Sequence, residues 1–186
     1  MKLLALILFA LSTTAQADIF NGHFQTGPFS ATTGWTIVRT SHAGASIKLI
    51  NRTAPACTRC PSDRALRLTV TSMPDIYSLA GPTLYAAPER DYRQKAVPGV
   101  LYAYRLDFRC NVPYQIVARY WLRNGQNLRV PLGYSTYNTA GAWVRSPIVY
   151  HVPPAGAFRM SVAPMAIGLG ATGTCDIDNL TNNPVY

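Results

Sequence analysis

Helical periodicity is nearly absent from this chain, acidic residues are few, and no apolar run after the N-terminus is long. Each shortage excludes something. Without a 3.6-residue apolar repeat there is no helical bundle and no helix layer to cover a sheet. With 8 Asp and Glu against 17 Lys and Arg, carboxylates for acid–base work are scarce. A glycosidase needs two opposed carboxylates; Asp107 lies among arginines that would keep it ionised, which makes it a poor general acid. The histidines, His23, His42 and His151, are isolated, and no Ser occupies a Gly-x-Ser-x-Gly elbow. Gly168-x-Gly170-x-x-Gly173 has the letters of a dinucleotide loop, but no helix follows it, so it reads as a turn. A protein that is not an enzyme is expected.

What is present begins with Lys2, an apolar run from Leu3 to Leu11, a polar stretch and Ala15-Gln16-Ala17. This pattern is that of a secretory signal peptide over residues 1–17, too short to span a bilayer as a helix. The expectation is a single β-sandwich domain over residues 18–186, secreted into an extracellular or periplasmic space, without a membrane span. The formal charge of +9 favours acidic partners such as anionic glycans or lipid head groups. The basic residues are scattered singly rather than in runs, which argues against nucleic acid.

Four cysteines in an exported chain point to disulfides before metals. Cys57 and Cys60 form a C-x-x-C inside a Pro-flanked loop with no helix after it, so a local disulfide is preferred over a redox or metal site. Cys110 and Cys175 lack the second pair that a zinc site would need. They are expected to pair with each other, clamping a central strand to the last one.

Val/Ile/Thr/Tyr-rich runs separated by Gly, Pro and Asn read as an all-β, two-sheet antiparallel sandwich. The two most regular runs flank Asn111-Val112-Pro113. Tyr102, Tyr104, Leu106, Phe108 and Cys110, then Ile116, Ala118, Tyr120 and Leu122, would share an apolar face. Arg105, Asp107 and Arg109, then Gln115, Arg119, Trp121 and Arg123, would form one cross-strand polar patch, joined by Arg145 and His151 from a neighbouring strand. Asn124-Gly125 predicts a hairpin turn into the next strand. Four prolines between residues 73 and 99 predict one short strand and a long loop there.

Five motifs, in order, resemble the carbohydrate-binding modules of the galactose-binding-like jelly-roll superfamily, especially those attached to xylanases and endoglucanases. They are Asn21-Gly22-His23-Phe24-Gln25-Thr26-Gly27 with Gly34-Trp35, then Ala65-Leu66-Arg67-Leu68, then Pro98-Gly99-Val100-Leu101-Tyr102 with Phe108. Thr139-Ala140-Gly141-Ala142-Trp143 with Val152-Pro153-Pro154-Ala155-Gly156, and finally Ile177-Asp178-Asn179-Leu180, complete the set. The resemblance implies a jelly roll that binds carbohydrate in a cleft or at loops, by aromatic stacking and polar contacts. It implies core packing for Trp35 and Trp143, leaving Trp121 as the indole on the open face. It also implies a structural calcium between the opening motif and the closing aspartates. Of its ligands Asp178 remains, while Gln25 and Asn179 stand where the family has carboxylates, which weakens such a site.

The reading is therefore a lectin-like module with Trp121, Arg119, Arg123, Arg105, Arg109, Asp107 and Gln115 at its ligand site. One Asp cannot neutralise four Arg, and guanidinium recognises carboxylate or phosphate in bidentate fashion, so an acidic glycan or anionic polysaccharide is the expected ligand. The alternative is a self-associating structural or adhesive subunit of an exported surface assembly, since binding modules usually travel with a catalytic partner.

Overall fold

Runs of period two in β-branched and aromatic residues become strands throughout. A computed structural model describes residues 19, 22, 24, 32–52, 64–136 and 139–186. Their strands are β1 (Trp35–Arg39), β2 (Gly44–Asn51), β3 (Arg64–Ser72), β4 (Leu79–Leu84), β5 (Gln94–Lys95) and β6 (Tyr102–Cys110). Then come β7 (Tyr114–Leu122), β8 (Asn127–Thr136), β9 (Val144–Arg145), β10 (Val149–His151), β11 (Ala157–Ile167) and β12 (Gly173–Pro184). They form two antiparallel six-stranded sheets packed as a jelly-roll sandwich. Sheet A runs β1-β4-β11-β7-β8 with β5 on β11; sheet B runs β10-β6-β12-β3-β2 with β9 on β6.

The inward residues are those the alternation selects. Tyr104, Leu106 and Phe108 of β6 and Tyr114, Ile116 and Tyr120 of β7 are buried in one core with Trp35, Leu66, Leu68 and Ile177. Trp35 is packed as expected, its ring 5.7 Å from that of Phe24. Cys110 and Cys175 stand opposite each other on β6 and β12 and form the predicted disulfide. The Cys57–Cys60 pair and residues 1–17 lie outside the described residues.

One expectation needs correction. β6 and β7 do not share a sheet: β6 pairs with β12, β10 and β9, and β7 pairs with β11 and β8. The connection Asn111-Val112-Pro113 is a corner. Asn111 donates to the Thr174 carbonyl on β12 while the Pro113 carbonyl accepts from Ile167 on β11, and Val112 between them is fully buried. The two apolar faces therefore meet across the core, where Phe108 and Tyr114 pack edge to face at 5.1 Å. The polar faces consequently point to opposite sides of the molecule.

Pro82 falls inside β4, opposite Ile37 of edge strand β1, while β4 reaches β11 only through Ala80 and Leu79. The missing ladder donor is thus placed where little pairing is required. The opening motif meets the closing strand at Gly22, whose carbonyl accepts from Leu180. A Cβ on Gly22 would collide with the Leu180 carbonyl oxygen, so the close approach requires glycine.

Candidate ligand face

The outer side of sheet A is a small grid of cations. Register places Lys95 (β5), Arg159 (β11), Trp121 (β7) and Asn127 (β8) in one row, and Ser161, Arg119 and Arg129 in the next. Arg93, two residues before Lys95, reaches over the same face. The guanidinium carbons of Arg93 and Arg119 lie 4.8 and 4.9 Å from the Trp121 ring centre, so the indole is a cation–π support for both. Among the described residues one acid pairs with this group: Asp91 holds Arg93 at 2.8 Å and Arg159 at 2.7 Å. The hydrogen bond from Arg93, with Arg159 assisting, holds the Asp91 carboxyl down to about 2 against the opposing effect of burial.

Arg119 has no such partner. Its Nε is buried without a hydrogen bond, and burial, with Arg129 and Arg93 beside it, pulls its guanidinium below the ordinary value. It is a half-buried cation among cations, with no acid paired to it among the described residues. Arg123 lies just beyond β7, exposed, at an adjoining groove of about 460 Å³ that Lys95, Phe158 and Arg159 also line.

The outer side of sheet B uses the same residue type differently. Lys48, Arg67, Asp176 and Arg109 form a cross-strand row. Asp176, almost fully buried, receives Arg67 Nε at 2.6 Å and Arg109 Nη2 at 2.6 Å. In the next row Asp107 and Asp178 face each other. Arg52, itself buried, donates to Asp178 at 2.6 Å and to Asp107 at 3.2 Å, while Arg145 adds a bond to Asp107 at 3.0 Å. The Asn179 side chain also donates to Asp107, at 2.6 Å. Arg105 Nε is bonded to the Ser146 carbonyl at 3.0 Å.

The residues expected to form one patch are thus divided. Gln115, Arg119, Trp121 and Arg123 belong to sheet A and its rim, whereas Arg105, Asp107, Arg109 and Arg145 belong to sheet B, on the other side of the molecule. His151 is on neither outer face. It is buried, with Nδ1 accepting from the Tyr120 hydroxyl at 2.6 Å, Nε2 donating to Asn182 Oδ1 at 2.8 Å, and the Tyr102 ring stacked at 5.6 Å. Burial lowers its pKa, offset in part by the Asn182 bond. Trp143 also departs from expectation: it is half-exposed over sheet B, with Arg52 4.4 Å and Arg109 5.4 Å from its ring centre. The paired arginines, rather than the apolar core, are its packing surface.

A calcium site does not suit these donors. Asp178 Oδ2 already holds Arg52 and Oδ1 accepts from the Asn179 backbone N–H, so the positive charge this end requires is supplied by a side chain. Gln25, the other expected ligand, lies outside the described residues. No group of three metal-binding side chains occurs among the described residues.

No family model matches the sequence, and no curated protein sequence matches it. Solved structures do. The chain is similar to the CBM22-1 xylan-binding domain from Paenibacillus barcinonensis, with 12% identity, a TM-score of 0.55, and 84% of this chain covering 89% of that one. It is similar also to the C-terminal family 22 carbohydrate binding module of Clostridium thermocellum, with 17% identity, a TM-score of 0.54, and 88% covering 94%. The chain shares the fold of carbohydrate-binding modules. A third likeness is to the enzymatically active domain of tailspike protein 4 of bacteriophage CBA120, with 16% identity and a TM-score of 0.64 over 89% of this chain; the match spans 21% of that chain. At such identities the likeness is one of fold.

Within this carbohydrate-binding-module fold, sequence reasoning missed Arg93, Arg129 and Arg159 on sheet A and Arg52, Arg67 and Asp176 on sheet B. Arg129 carried a signal: a tight turn on Asn124-Gly125 sets it across from Arg119. The others meet through strands distant in sequence.

Proposed function

We propose that this chain is a secreted, non-catalytic carbohydrate-binding module that takes acidic glycans on the outer face of sheet A. Arg119, Arg129, Trp121 and Arg93 hold the ligand, with Gln115 at the margin; Arg123 lies off these rows, at the adjoining groove. The observation that carries this reading is the charge imbalance: among the described residues Asp91 is the one acid paired on this face, and it is taken by Arg93 and Arg159, leaving Arg119 and Arg129 without one. The Trp121 ring, already contacted by two guanidiniums, orients them more than it offers a bare platform for a sugar. Carboxylate or sulfate on the glycan completes the unmet charge in bidentate fashion. The fold likeness to modules whose names record xylan and carbohydrate binding supports a sugar polymer as the carrier of that charge.

A glycan array read at several salt concentrations tests this. Retention of uronic-acid or sulfated glycans that weakens with salt supports it, and retention of neutral glycans alone, insensitive to salt, overturns the acidic preference. The competing reading, a self-associating surface subunit, draws on exposed Leu128, Tyr150 and Val152 around the groove between β8 and β10. Concentration-dependent assembly in size-exclusion chromatography, with no glycan retained, would favour it.

A further inference from the structure

A single acidic sugar would use only part of the cationic grid. The rows run across the strands, from β5 through β11 and β7 to β8, and neighbouring strands are about 4.8 Å apart, so the track is roughly 14 Å long. Arg119 and Arg129 stand toward one end. At the other, β11 bulges between Ala157 and Arg159, making Phe158 the extra residue against β7. Bulges re-aim side chains and bend the strand, and here the bulge borders the groove lined by Lys95, Arg123, Phe158 and Arg159. Lys95 and Arg123 are exposed. Neither is engaged by an acid among the described residues, and Arg159 links the groove to the Trp121 row.

We propose that this groove is a second anion subsite, and that the ligand is a polyanionic glycan laid across β5, β11, β7 and β8 with charged groups at both ends of the track. The inference rests on the reading of sheet A as an acidic-glycan face. Each end alone binds weakly because its cations are solvent-screened. Joining two charged groups on one chain makes the second contact intramolecular. Phe158 gives the groove one apolar wall on which the uncharged face of a sugar ring can lie. Asp91, paired with both Arg93 and Arg159, offsets the repulsion among these cations.

The test is calorimetric titration with galacturonic acid monomer, trimer and hexamer, with xylose hexamer as the neutral control. Wild type, the double variant Lys95→Ala/Arg123→Ala, and Arg119→Ala are compared, each checked by thermal melting. For wild type, affinity rises about a hundredfold from monomer to hexamer, the lower end of what linked contacts supply. The double variant keeps monomer binding but loses most of that gain and shows a shallower salt dependence, while Arg119→Ala loses both. A wild-type hexamer no tighter than the monomer, or a double variant with the full gain, overturns the second subsite and leaves the glycan face standing. No galacturonate binding of any length, with or without binding of the neutral hexamer, overturns the acidic-glycan reading and the inference built on it.

Discussion

Both outer faces of the sandwich are rich in arginine, yet sheet B is held together by its arginines and sheet A is left wanting a partner by its own. The difference is where the aspartates fall. On sheet B, Asp176 stands between Arg67 and Arg109 across three strands, and Asp107 and Asp178 enclose Arg52. On sheet A the corresponding central positions are Ser161 and Arg159, and the one acid paired there among the described residues, Asp91, lies outside the named strands. Charge composition alone does not distinguish cations paired by acids from those left without one; the cross-strand register does.

The largest expected effect is on sheet B. Arg52→Ala leaves Asp178 and Asp107 facing each other without their shared cation and costs about 3–5 kcal/mol, because breaking one member of a buried pair strands the other's charge. Chemical denaturation measures this. In the wild type, added calcium leaves the melting temperature unchanged, since Asp178 is already committed. On sheet A, Arg119→Ala should change stability by less than about 0.5 kcal/mol, or raise it slightly, as it relieves repulsion from Arg129 and Arg93. The same change should remove acidic-glycan binding. If the two variants lost stability equally, the distinction between the faces would fail.

Acid distinguishes the interior from sheet A. The folded pKa of His151 lies below its ordinary 6.5. Folding therefore disfavours the protonated ring, and stability is full above that pH and declines as pH falls below it. The Asp91 carboxyl is held near 2 rather than 3.8, so its ionised form stabilises the fold above that ordinary value, and the contribution is lost as pH falls toward 2. Melting temperature against pH should show both limbs, with Asp91→Asn flattening only the lower one. The smallest effect is expected from Arg129→Ala, which lies exposed on edge strand β8: a weakened glycan affinity of a few fold with melting unchanged.

Much of this frame was legible in the sequence, and the point of failure is local. The alternation at 102–110 and 114–122 identified both strands and their buried sides, and the cysteines identified the β6–β12 clamp. Alternation is the same, however, whether Asn111-Val112-Pro113 makes a hairpin within one sheet or a corner between two, so the polar faces were joined when they belong to opposite sides. The ion pairs were hidden for a different reason. Arg67 and Asp176 are 109 residues apart, and no local periodicity reports which strands become neighbours. The family resemblance implies core packing for Trp143, as large aromatics usually carry burial, but two guanidiniums offer its ring another surface.

The most direct test of the division between the faces pairs Arg119→Ala with Arg109→Ala, measuring galacturonate-hexamer affinity by calorimetry and melting temperature for each. The account predicts a double dissociation: Arg119→Ala abolishes binding and melts like wild type, whereas Arg109→Ala melts lower and binds like wild type. Lost binding in Arg109→Ala with retained binding in Arg119→Ala would contradict it and move the ligand face to sheet B.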